Sequence, residues 1–123
     1  MNSQELLEKI YANPELVFDH LHPDFTLHSP GQGLIAGTFS GAEGMKAHFA
    51  KMQELSGGSL KQVRVDNVLA DDTWAMVPSR LTGERNGKQL DTWGFGLWRF
   101  KDGLLIDHWE SVGDQAHWDD FWS

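Results

Sequence analysis

Leu90-Asp91-Thr92-Trp93-Gly94-Phe95-Gly96-Leu97-Trp98-Arg99-Phe100 runs into Lys101-Asp102-Gly103 and on to Leu104-Leu105-Ile106-Asp107-His108-Trp109-Glu110-Ser111-Val112. This stretch decides the fold. An Asp-Gly pair between two runs rich in aromatic and branched residues is a strong local hairpin signal, because both residues tolerate the positive φ that a tight turn demands. Side chains two apart on a strand share a face. Ile106, His108 and Glu110 are therefore expected on one face, with Asp107, Trp109 and Ser111 on the other.

Upstream of the hairpin the period stays at two. Leu60–Leu69 reads as a strand, Asp71-Asp72 as a turn, Thr73–Arg85 as a strand and Asn86-Gly87 as a second hairpin turn. Before Leu60 the pattern is helical. Ser3–Tyr11 carries Leu6, Leu7 and Ile10 at helical spacing, with Ser3 as its cap. A second helix starts at Pro14 and buries Leu16, Val17, His20 and Leu21, until His22-Pro23-Asp24 breaks it. Phe25–Ser29 is a short strand, Gln32–Phe39 a glycine-rich loop with a brief edge strand at Leu34-Ile35, and Ser40–Leu55 a helix. Ser40 and Glu43 have capping-box spacing, and Met45, Phe49, Met52 and Leu55 form the apolar stripe. The tail, Asp114–Phe121, is a short helix. Helices first, then a four-strand meander, give an α+β fold with helices on one face of a curved sheet.

At 123 residues, with 40% hydrophobic and 23% charged, the chain is expected to form one domain over residues 1–123. Ten basic against eighteen acidic side chains leave a net charge of -8, which disfavours nucleic acid and anionic membrane partners. There is no cysteine, hence no thiolate chemistry. The Met1–Glu5 start lacks the basic and apolar regions of a signal peptide, and no apolar run approaches the roughly twenty residues that span a bilayer. The expectation is a cytoplasmic protein.

Two stretches carry a resemblance. His28-Ser29-Pro30-Gly31 and the hairpin Trp98-Arg99-Phe100-Lys101-Asp102-Gly103 through His108-Trp109-Glu110 resemble the NTF2-like superfamily, which includes SnoaL-type cyclases and ketosteroid isomerases. Phe121-Trp122-Ser123 is similar to the close of SnoaL-like proteins. The resemblance implies a cone-shaped α+β roll enclosing a pocket, acid–base chemistry without a cofactor, and a homodimer. The catalytic acid of the cyclases corresponds to Glu110. Ser29 stands where the isomerases place an Asp before the proline, and Gly96 where relatives carry a second polar group.

The candidate catalytic residues are accordingly Glu110, His108 and His28, and the candidate substrate-binding residues are Ser29, Gly94, Gly96 and Trp98. On an inward face Glu110 would exchange protons and His108 relay one. The plainer reading makes Glu110 a solvated strand residue and His108 a core histidine satisfied by a neighbouring carboxylate or carbonyl. His28 depends on an alternation that slips by one residue. Gly94 and Gly96 mark either a roomy wall or a bend in the sheet. His20, His22 and His28 lack metal-ligand spacing, so no metal is assigned. His48 and His117 read as surface residues, and Trp118 and Trp122 as closing either the pocket or a dimer. Trp93, Phe95 and Leu97 form an apolar outer face that is expected to pair two copies. Two functions stay open: an isomerase, cyclase or hydrolase acting on a small apolar oxygenated molecule, or a non-catalytic ligand-binding or dimerisation module.

Overall fold

The computed structural model describes residues 1–123. In chain order it contains α1 (Ser3–Ala12), a 3-10 segment (Pro14–His20), β1 (Leu21–Ser29), β2 (Gly37–Ser40) and α2 (Gly41–Leu55). β3 (Lys61–Val65), β4 (Leu69–Ala70), β5 (Trp74–Arg85), β6 (Lys88–Lys101), β7 (Leu104–Val112) and α3 (Gln115–Phe121) follow. One seven-stranded sheet, ordered β2-β1-β7-β6-β5-β3 with β4 also on β5, carries the fold. β1 runs parallel to β7 and every other pair is antiparallel. No helix is long and apolar enough to cross a membrane.

The expected α+β fold is what the chain adopts, and both hairpin turns form where their dipeptides stand. Asn86 (φ 52°) and Gly87 (φ 78°), then Asp102 (φ 54°) and Gly103 (φ 77°), all take positive φ, as a two-residue hairpin turn requires. The resulting register sets Gly96 opposite Glu110 and Trp98 opposite His108. An irregularity places Ile106 between the pairs Phe100–Leu105 and Arg99–Asp107. Leu105, and not Ile106, therefore joins the core, while His108 and Glu110 keep their common face.

Several boundaries differ from the sequence expectation. The second helix is a 3-10 segment of seven residues, and the chain is already extended at Leu21. The residue before a proline favours extended backbone, so His22-Pro23 lies inside β1 instead of ending a helix. Asn2, not Ser3, caps α1, its side chain accepting from the Glu5 amide at 2.8 Å. Ser40 caps α2 without a side-chain hydrogen bond, so the capping box does not form. The edge strand beside β1 is Gly37–Ser40; Ile35 is buried instead. The long Leu60–Leu69 strand is split in two. Its break faces Pro78 of β5, which has no amide hydrogen for the ladder and only accepts, from the Asp66 amide at 2.9 Å.

The helices pack on the concave face in two clusters. Leu7, Phe25, Leu27, Met45, Val77 and Leu105 are at the centre of the larger. Ile35, Met52, Leu90, Trp118, Phe121 and Trp122 form the smaller, which settles the two tail tryptophans inside the fold. Between these clusters the sheet and helices leave a cavity of about 400 Å³.

Candidate active site

Glu110 lines the cavity from β7 and is the only carboxylate among its lining residues. Its Oε1 is 2.6 Å from Nε2 of His48, whose side chain has no exposed surface. His48 comes from α2, where Met45, His48 and Met52 share the buried face. The His48 ring packs against Phe39 at 4.6 Å and Phe49 at 5.8 Å. Nδ1 of His48 is buried without a partner, so the tautomer that fits is the one with hydrogen on Nε2, donated to Glu110. A hydrogen on Nδ1 would be an unsatisfied buried donor. Oε2 of Glu110 has no partner in the chain and remains free to exchange a proton with a ligand.

His108 is on the same face two residues earlier. Its ring stacks on Trp98 at 3.7 Å, and Nδ1–H donates to the Leu97 carbonyl at 3.1 Å. A carbonyl only accepts, so Nε2 is a bare lone pair. Burial pulls the imidazole down to about 4, against the opposing pull of Glu110 and the Leu97 carbonyl. The ring is neutral near pH 7 and serves as an acceptor, not a charged acid. Stability follows from that. The unfolded imidazole binds a proton near 6.5 and the folded one only near 4, so the unfolded state holds more protons in that window. Folding stability is then full above pH 6.5, falls as the pH drops towards 4 and levels off below it, by a loss on the order of 3 kcal/mol. Thermal melts across this range should show the decline in the native chain, and a flatter profile in His108→Gln.

Tyr11 of α1 is the third polar group. Its hydroxyl accepts from Trp98 Nε1–H at 3.0 Å, and the two rings meet edge to face at 6.4 Å. Burial pushes the phenol up to about 12, over the lowering effect of the Trp98 donor. Tyr11 thus stays protonated, and its own hydrogen is unspent. The space for it comes from Gly96, because a Cβ there would fall on the Tyr11 hydroxyl oxygen and lie 3.3 Å from Cε1 of His108. At Gly94 a Cβ would meet Leu81 Cδ1 at 2.9 Å. Both glycines line the cavity.

Of the sequence-derived candidates, Glu110, His108, Gly94, Gly96 and Trp98 come together here. His28 does not. Parallel pairing of Leu27 with His108 and of His28 with Trp109 puts Leu27 in the core and His28 on the outer face. There His28 stacks on Trp109 at 4.9 Å and its Nε2 lies 3.1 Å from Asp107, which also holds Arg99. Ser29 is buried, with a hydroxyl that has no partner, but is not part of the cavity lining. His48, expected at the surface, is fully buried and holds Glu110 from behind the cavity wall. His117 is half-buried and accepts from the Asp91 amide at 3.3 Å. No group of three His, Cys, Asp or Glu side chains converges in a way that would hold a metal ion.

Residues 11–108 match the SnoaL-like domain. The chain belongs to that family, within the NTF2-like superfamily. The SnoaL-like match ends two residues before Glu110. Among solved structures, Bal32a from a soil-derived mobile gene cassette is 32% identical, with 97% of this chain and 95% of that one covered and a TM-score of 0.86. A protein of unknown function with a cystatin-like fold from Xanthomonas campestris is 26% identical over 100% and 99% of the two chains, with a TM-score of 0.88. TerC, co-crystallised with polyporic acid, shares the fold at 16% identity over 96% and 92%, with a TM-score of 0.73. No curated protein matches the chain in sequence.

Proposed function

We propose that this SnoaL-like protein is a cofactor-independent acid–base enzyme acting on a small, apolar, oxygenated molecule held in the cavity. The observation that carries this reading is the Glu110–His48 pair: a carboxylate fixed on one oxygen by a buried histidine, with its other oxygen open to an apolar pocket. Glu110 takes a proton from a carbon next to a carbonyl and returns it at another position. The Tyr11 hydroxyl, polarised by Trp98 Nε1–H, donates to the oxygen on which negative charge develops. His108 Nε2 accepts a hydrogen bond from a hydroxyl of the bound molecule. Isomerisation and cyclisation both begin with that proton abstraction.

The volume of about 400 Å³ is at the lower end of small-molecule pockets, which suits a ligand of two or three rings. The test is hydrogen–deuterium exchange at the α-carbons of 2-tetralone in D2O, followed by proton NMR. Exchange well above the buffer rate supports the enzyme reading. Binding of 2-tetralone with exchange at the buffer rate supports the alternative, a non-catalytic module.

The outer sheet face serves, in the same proposal, as the interface of a homodimer. Trp93, Phe95 and Leu97 are half-buried there, beside Trp109 and the 44%-exposed Trp74. The face is more polar than its sequence suggests, because Arg64 and Arg80 cover Trp93 at 5.7 and 5.5 Å. Light scattering should give twice the chain mass for the native protein and the chain mass for Leu97→Glu. A native protein that runs as a monomer at micromolar concentration contradicts the dimer.

A further inference from the structure

The proton transfer at Glu110 makes no use of Ser79. Ala75, Val77 and Ser79 alternate on the buried face of β5, and Ser79, 3% exposed, lines the cavity. Its hydroxyl meets no donor or acceptor of the chain. A buried hydroxyl is ordinarily hydrogen-bonded, by protein, water or ligand. The inward neighbours of Ser79 are Val77 and Leu81 on its own strand, Gly94 opposite it on β6 and Val112 beyond on β7. None of these side chains donates or accepts. Gln62, opposite Leu81 on β3, is exposed and makes no bond to Ser79. A water on this wall therefore falls short of the about two to four polar partners that hold a buried water in place, and a ligand oxygen displaces it at little cost.

We infer that Ser79 determines specificity: its hydroxyl bonds a second oxygen function, a hydroxyl or carbonyl, at the end of the ligand remote from the reacting carbonyl. The inference rests on the acid–base reading of Glu110 and Tyr11, because that end fixes where the first oxygen lies. The two glycines of β6 then set the length of the molecule. The Tyr11 hydroxyl stands over Gly96, and the Ser79 hydroxyl lies 3.6 Å from where a Cβ of Gly94 would be. Alternate residues of an extended strand are about 7 Å apart, so the two hydroxyls offer hydrogen bonds at a spacing of that order. A fused bicycle with oxygens at opposite ends spans such a gap, whereas a single ring with one oxygen leaves Ser79 unpaired. With the second oxygen in place the buried hydroxyl has its partner, and a ligand lacking that oxygen is disfavoured.

The test uses two probes of one shape, 6-hydroxy-2-tetralone and 6-methyl-2-tetralone, titrated calorimetrically into the native chain and Ser79→Ala. The affinity ratio of hydroxy to methyl compound should be about fivefold lower in Ser79→Ala than in the native chain, the worth of one neutral hydrogen bond. The melting temperature of the ligand-free variant should match or slightly exceed the native one, because the hydroxyl removed has no partner in the chain. An unchanged ratio, or a changed ratio accompanied by a lower ligand-free melting temperature, overturns the role of Ser79, while binding of both probes still upholds the pocket. If neither probe binds, the pocket reading falls as well.

Discussion

Glu110→Gln should slow α-hydrogen exchange by about 10²–10⁴-fold, the usual worth of a positioned acid–base group. The substitution isolates the chemistry. Glutamine keeps the volume of the side chain, and its carbonyl oxygen still accepts from His48 Nε2–H, now 2.6 Å from the carboxylate. The buried donor of His48 is not orphaned, so the melting temperature should hold and 2-tetralone should still bind. What goes is the proton acceptor. A Glu110→Gln variant that exchanges at the native rate would remove Glu110 from the reaction.

Tyr11→Phe should cost about 10²–10³-fold in the same exchange, the range seen when one donor to a developing oxyanion is removed. Here the stability also falls, because Trp98 Nε1–H loses its only acceptor in the buried wall, at a cost of about 1–3 kcal/mol. Gly96→Ala tests the position of the hydroxyl. It retains the phenol but puts a methyl group where the hydroxyl oxygen lies, so the ring must pivot away from Trp98. Loss of exchange in both variants ties the rate to the position of the hydroxyl. Loss in neither means that Tyr11 only holds the wall together.

The hairpin from Leu90 to Val112 was legible because its turn chemistry and its period of two agree with each other, and that agreement fixed Glu110 and His108 on one face. His28 was not, because its direction depends on the partner strand. β1 starts at Leu21 and pairs in parallel with β7, and this long-range register turns Leu27 inwards and His28 out. His48 could have been read from sequence. Met45, His48 and Met52 recur at helical spacing, and a histidine within an apolar stripe is a buried polar group in need of a partner. Tyr11 carried the same signal, four residues after Leu7 on the buried side of α1. Neither residue shows from sequence alone what it meets across the cavity. The glycines resolve likewise: Gly96 is small because a side chain from another element occupies its place, so a missing polar group on β6 is supplied from α1.

The central claim is that Glu110 and Tyr11 together face the reacting oxygen and its neighbouring carbon. A crystal structure of the complex with 2-naphthol, a planar mimic of an enol, tests it most directly. The account predicts the naphthol oxygen within hydrogen-bond distance of the Tyr11 hydroxyl, with the free oxygen of Glu110 over the adjacent ring carbon. A naphthol whose oxygen points to the solvent-exposed lining residues Gln53 and Gln62, or which binds outside the cavity, would contradict it.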